Sequence, residues 1–233
     1  MYLNIDGKIL YPQTNQSLLD LIRSAGMDSD RLSERPIAAK IAGEVFTLNY
    51  VPLRQKDVSA DRPSMRRAMA ASNGEVHLLY CTDAAGREAY IRTAQFVIFL
   101  ALRQLWPEAR GKMNCTLGSS VYIQVTDTND FSVSVLKERM QTLIEQDIPL
   151  IRRRVSLDTA VARYYAEGQK DKARLLSWRP WDFFDEYAYE AFADYYYGEM
   201  APSTGYLTVW DILPVDGGFM FIFPNPLVPD ELA

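Results

Sequence analysis

Histidine and cysteine, the usual carriers of nucleophilic and metal chemistry, are sparse in this chain and poorly spaced for it. There is one histidine, His77, and there are two cysteines, Cys81 and Cys115. His77 sits inside the apolar run VHLLYC, where a solitary imidazole reads as a packed strand residue rather than a catalyst. Neither cysteine has a second one at metal-ligand spacing, and a zinc site with a single histidine would rest mostly on carboxylates. Cys81 reads as a small buried thiol. Gly118-Ser119-Ser120 does not form a G-x-S-x-G turn, and no histidine is placed to activate either serine. No G-x-x-x-x-G-K-[ST] phosphate loop and no G-x-G-x-x-G turn is present. Asp182, Asp185, Glu186, Glu190 and Asp194 supply carboxylates, but their spacing picks out no acid and base. Solvated acids on a strand-and-turn segment are the plainer reading. No catalytic residue and no metal ligand is assigned. What remains is aromatic: YYYGEMAPSTGYL, residues 195–207, joins three tyrosines to a Pro-Ser-Thr-Gly turn. Such a run either lines a ligand pocket or packs a sheet edge.

The composition narrows the partners. With 48% hydrophobic residues, 233 residues can bury one large core or two modest ones. The net charge of −5 argues against nucleic acid, because phosphate neutralisation supplies most of such affinity. Arg152-Arg153-Arg154 is a local exception, read as a strand or helix edge with solvated guanidinium groups. The start, MYLNIDGKILY, lacks the pattern of a signal peptide. The most apolar stretch, AQFVIFLAL, is well short of the roughly 20 residues that span a bilayer. The expectation is a cytoplasmic protein with no membrane partner and reduced thiols.

The elements that position these residues read as two α/β modules. YLNI and KILY flank Asp6-Gly7, a pair that takes positive φ cheaply, and so predict a hairpin. Ser17 caps a short helix that buries Leu18, Leu19, Leu21 and Ile22 and ends near Gly26. IAAKIA and VFTLNY flank Gly43-Glu44 as a second hairpin. Residues 59–75 read as an inserted loop, 76–82 as a closing strand, and Asp83 to Gly86 as a boundary. The segment 90–107 is apolar on all sides, which predicts a buried helix stopped near Pro107. Strands surround Gly118, and Leu136, Met140, Leu143 and Ile144 recur at helical spacing. Ser156 caps a helix ended by Gly168, and YLTVW and FMFIF read as strands.

This order resembles a known family along nearly the whole chain. Residues 1–84 resemble a TGS domain, the small ubiquitin-like module at the start of threonyl-tRNA synthetases, through the Asp6-Gly7 hairpin, SLLDLIRSAG and IAAKIAGEVFTLNY. Residues 88–225 resemble the editing domain of those synthetases, through IRTAQFVIFLALRQLWPEAR, LGSSVYIQV, LKERMQTLIEQDIPLIRRRVS and LDTAVARYYAEGQKDKARLL. The fold implied is α+β: a β-grasp domain followed by an editing-domain-like α/β sandwich. Residues 226–233 would begin a linker.

The resemblance does not carry the editing chemistry across. The family's helix motif H-x-x-x-H falls on Arg92 and Phe96 when anchored on LWP. Its C-x-x-x-H motif falls on Tyr196 and Met200 when anchored on the glycine of YYYGEMAP. Arginine cannot serve as a base or ligand at ordinary pH, and phenylalanine has no donor or acceptor. Arg92-Thr93, YYGEMAPSTGYL and the run to FP are instead similar to the N-terminal region of bacterial uridine kinase-type nucleoside kinases. That likeness implies a non-catalytic ligand-binding or regulatory region, with ATP and magnesium belonging to a kinase domain beyond the linker. Arg92, Gln95, Phe96, Tyr196, Tyr197, Met200, Ser203 and Thr204 are the candidate ligand-binding residues, either open as a pocket or filled as a core. A free-standing aminoacyl-tRNA editing hydrolase and an RNA-docking module are the alternatives.

Overall fold

The computed structural model describes residues 2–53 and 71–233. The inserted loop read at 59–75 therefore lies largely outside the described residues. Within them the chain is mixed α and β, with three sheets and five helices. It divides into a larger unit, drawn from residues up to 150 and from 198 onward, and a smaller one of Ile151–Tyr197.

The larger unit starts with the predicted hairpin, β1 (Leu3–Ile5) and β2 (Lys8–Leu10). Asp6 and Gly7 turn it at φ 46° and 88°, the left-handed pair that a two-residue hairpin demands. Helix α1 (Leu18–Ser24) is capped reciprocally: the Ser17 hydroxyl accepts from the Asp20 amide while Asp20 reaches back to the Ser17 backbone. Strands β3 (Ala38–Ile41), β4 (Glu44–Thr47) and β5 (Glu75–Leu79) complete a five-stranded sheet in the order β2-β1-β5-β3-β4. Here β1 runs parallel to β5, and the other neighbours are antiparallel. Alternation along β5 turns Val76 and Leu78 inward and His77 outward. The sequence reading of His77 as a packed residue is thus corrected: its side chain is 66% exposed, with Nδ1 3.3 Å from Asp6 Oδ1.

Helix α2 (Ala84–Leu105) begins inside the stretch expected to be a boundary. Its buried residues, among them Tyr90, Ala94, Phe96, Val97 and Leu100, lie on several faces, as its apolar surround predicts. It packs with α3 (Val133–Glu145), which buries Leu136, Met140, Leu143 and Ile144. An antiparallel sheet of β6 (Arg110–Leu117), β7 (Ser120–Thr126), β11 (Asp211–Val215) and β12 (Gly218–Ile222) runs in the order β11-β12-β7-β6. YLTVW is not a strand. Thr204–Tyr206 form a 3-10 turn, and pairing starts only at Asp211, because Ser203 and Thr204 are tied to Asp147 and Leu143, far back in the chain. Residues 226–233 fold back on this unit: Asp230 accepts from the Ser33 amide and hydroxyl and from Arg31.

The smaller unit is a three-stranded antiparallel sheet of β8 (Arg152–Ser156), β9 (Phe183–Tyr189) and β10 (Phe192–Asp194), in the order β10-β9-β8. Helices α4 (Leu157–Ala166) and α5 (Lys170–Ser177) pack with it around Ala160, Tyr164, Ala173, Leu176 and Phe184. Ser156 caps α4 by accepting from the Thr159 amide.

Candidate functional site

The candidate residues separate into two places, set by which unit holds them. Arg92, Gln95, Phe96, Met200, Ser203 and Thr204 belong to the larger unit, Tyr196 and Tyr197 to the smaller.

In the larger unit the candidates are committed to internal contacts. Phe96 and Met200 are fully buried. Arg92 Nη1 donates to the Glu199 carbonyl at 2.9 Å, and Nη2 lies 2.6 Å from Glu88 Oε2, one helical turn back. Gly198 makes room for this: its φ is 117°, and a Cβ there would stand 2.7 Å from the Arg92 guanidinium carbon. The Thr93 hydroxyl donates to the Ala89 carbonyl and accepts from the Ala201 amide, both at 2.9 Å. Gln95 is half-buried on α2.

The Pro-Ser-Thr-Gly turn acts as a clamp on the segment after α3. Ser203 donates to Asp147, and the Thr204 hydroxyl donates to the Leu143 carbonyl while accepting from the Ile148 amide at 2.8 Å. The Leu150 amide donates to the Pro202 carbonyl at 2.9 Å. Asn49 Nδ2, just past β4, donates to the carbonyls of both Leu150 and Pro202. Arg35 donates to the Gly205 carbonyl and stacks over the Tyr206 ring at 3.8 Å, while burial, its largest influence, lifts the Tyr206 phenol to about 12. This turn fastens the N-terminal sheet to the later layers of the same unit, a role that local sequence does not disclose.

The smaller unit contains a cleft of about 290 Å³. Trp181, Phe183 and Phe184 form one part of its lining, and Tyr195, Tyr196 and Tyr197 another, with Arg152, Arg179 and Asp185 as its charged groups. Tyr195 stacks edge-on against both Phe184 and Tyr197, with centroids 5.1 and 5.4 Å away. Tyr196 is half-exposed as a residue, but its hydroxyl is enclosed, and that burial holds its pKa well above the ordinary phenol value. Tyr197 and Trp181 are 72% and 63% exposed.

The charges around this cleft amend two sequence readings. The arginine run lies on an edge strand, β8, with Arg153 and Arg154 exposed as expected, but they are also paired: they stand opposite Glu186 and Asp185 on β9 at 2.8 and 3.0 Å. Glu186 is fully buried, bonded also by Arg163, and Asp194 accepts from Lys172 at 2.7 Å and from the Tyr164 hydroxyl. Asp185, Glu186 and Asp194 are therefore paired rather than solvated, while Asp182 and Glu190 are exposed as expected. Sequence reasoning missed Arg179 and Trp181 as site residues, although the WRPW run carried the signal.

Among the described residues, no three His, Cys, Asp or Glu side chains converge as a metal site would require. Nor is any helix there long and apolar enough to cross a membrane.

No protein-family model matches the chain. It is similar to the threonine–tRNA ligases of Burkholderia lata and Burkholderia vietnamiensis, at 28% identity over 141 residues in each case. The Paraburkholderia phytofirmans threonine–tRNA ligase is 29% identical over the same length. Each match covers 59% of this chain and 22% of the relative, so the chain spans about a fifth of the length of these enzymes. The chain thus contains a threonyl-tRNA-synthetase-like region.

Proposed function

We propose that this chain is a non-catalytic, ligand-binding regulatory region of synthetase-like ancestry, in which the tRNA-editing site has been replaced by packing. One observation carries the reading: the positions aligned with the family's histidine and cysteine motifs hold Arg92, Phe96, Tyr196 and Met200, and two of these are fully buried side chains. Arg92 spends its guanidinium on Glu88 and the Glu199 carbonyl, which fits a structural post better than a water-activating group. The aromatic cleft of the smaller unit is the seat left for a ligand.

The finer parts of the proposal are a TGS-like module before a boundary near residues 84–88 and a parent protein of the uridine kinase type. The β2-β1-β5-β3-β4 order with α1 after the first hairpin supports the module. YYGEMAPSTGYL supports the parent, whose kinase domain would bring ATP and magnesium. RNA docking through Arg152–Arg154 is the weaker reading, since those guanidinium groups face Asp185 and Glu186.

The test has two arms. Incubated with serine-charged threonine tRNA, the purified chain is expected to release serine no faster than buffer. Release above buffer that Arg92→Ala or Tyr196→Phe abolishes would establish the hydrolase alternative instead. In a thermal-shift screen of nucleosides, nucleotides and amino acids, at least one compound is expected to raise the unfolding temperature. A blank screen would leave no ligand-binding role.

A further inference from the structure

The smaller unit's cleft has a composition that selects its occupant. Its lining exposes large rings: Trp181 and Tyr197 are mostly exposed, and Phe183, with the Arg154 guanidinium over its ring at 3.9 Å, is 41% exposed and 6.4 Å from Trp181 between centroids. Exposed aromatic rings in a concave site favour a second planar ring. Its volume, about 290 Å³, falls at the small end of ligand pockets and admits one ring system with a substituent.

The charges set the rest. Asp185 is the one acid among the lining residues, and it is already matched by Arg154 at 3.0 Å and Arg152 at 3.7 Å. Arg179 differs from both. It is half-buried, its guanidinium carbon lies 5.5 Å from the Phe184 ring and 5.8 Å from the Tyr197 ring, and no carboxylate stands within ion-pair reach among the described residues. A cationic guest would meet a net positive lining, whereas an anion would complete Arg179 through a planar fork of donors. The segment is also held in advance: the Arg179 amide donates to the Leu176 carbonyl, Pro180 fixes one φ, and the Asp182 carbonyl accepts from the Leu157 amide.

We infer that this cleft binds a single nucleotide, its base stacked on Trp181 and Tyr197 and its phosphate on Arg179. The inference rests on the ligand-binding reading of the chain and names the class of ligand. The same chemistry is offered by a free nucleoside monophosphate and by the terminal nucleotide of an RNA strand.

Calorimetric titration separates the cases. Adenosine and uridine monophosphates are expected to bind about tenfold or more tighter than adenosine or inorganic phosphate alone. Arg179→Ala should reduce the monophosphates to the level of the nucleoside, and Trp181→Ala should weaken nucleoside and monophosphate together by about tenfold. Both side chains are partly exposed, and an unchanged unfolding temperature in each variant verifies the fold. A short unstructured RNA with a terminal phosphate tells the two sources apart. Tighter binding than the monophosphate, with competition between them, assigns the strand end; equal or weaker binding assigns the free nucleotide. RNA binding that the monophosphate does not displace, monophosphate binding indifferent to both variants, or no binding of either would overturn the inference. If nucleotides fail while another small molecule stabilises the chain, the ligand-binding reading stands without it.

Discussion

At the scale of single residues, the YYYGEMAPSTGYL segment is governed by backbone constraints that only two positions reveal. Gly205 lies where a Cβ would come within 2.3 Å of Asp147 Oδ1, and Gly198 lies where one would meet the Arg92 guanidinium. Gly198 carries a second constraint, its φ of 117°, which side-chain-bearing residues rarely adopt. The two costs are separable. Gly198→Ala is expected to destabilise the chain by roughly 1–3 kcal/mol in urea unfolding. In the Arg92→Ala background the clash is gone and only the backbone part remains, so the same substitution should cost less there. Equal costs in both backgrounds would show that Arg92 does not press on this glycine. The comparison also tests whether Arg92 is the structural post that its bonds to Glu88 and Glu199 describe.

At the scale of elements, what could be read from the sequence divides by the range of the interaction. The Asp6-Gly7 hairpin, the Ser17 and Ser156 caps and the apolar stripe of α3 are local, set within a few residues, and each is present. The pairing of Arg152–Arg154 is not legible in the same way, because their partners on β9 lie some thirty residues later and become visible only through strand register. YLTVW has strand-like composition, yet the clamp that Ser203 and Thr204 make with Asp147, Leu143 and Ile148 holds its start in a turn. For the same reason the candidate site was legible only in part: Tyr196 and Tyr197 line the aromatic cleft, while Phe96 and Met200 lie in the core. A pH effect belongs to this scale, because Lys137 on α3 bonds Asp211 on β11 at 2.5 Å. That bond, opposed by slight burial and aided by the Ile212 amide, holds the Asp211 carboxyl below its ordinary value. A depressed folded-state pKa contributes stability above the unfolded value of roughly 4, and the contribution is lost as pH falls through the lower folded one. The pair is partly exposed, so its share should stay under about 1 kcal/mol. Lys137→Met is expected to raise the Asp211 titration midpoint by NMR; an unmoved midpoint would discount the pair.

At the scale of the whole molecule, the two units differ in how much core each possesses. The larger unit buries apolar side chains from α1, α2, α3 and both of its sheets, whereas the smaller closes around Ala160, Tyr164, Ala173, Leu176 and Phe184. Buried ion pairs such as Glu186 with Arg163 add little net stability to that small core. Local opening should therefore be easiest there, which suits a cleft that must admit a ligand. Leu176 is the informative position, being 2% exposed in the centre of that small core. Leu176→Ala leaves a cavity whose cost, about 2–5 kcal/mol, is large beside what so small a core can supply. Native-state hydrogen exchange on the variant should show amides of β8, β9 and α4 losing protection while those of α2, β7 and β12 keep theirs. Loss of protection spread evenly over both groups would mean that the chain opens as one cooperative body. The ligand extends the same test: a compound seated in the aromatic cleft should restore protection to β8 and β9 in proportion to its occupancy. It should leave α2 unchanged, since no residue of that helix lines the cleft.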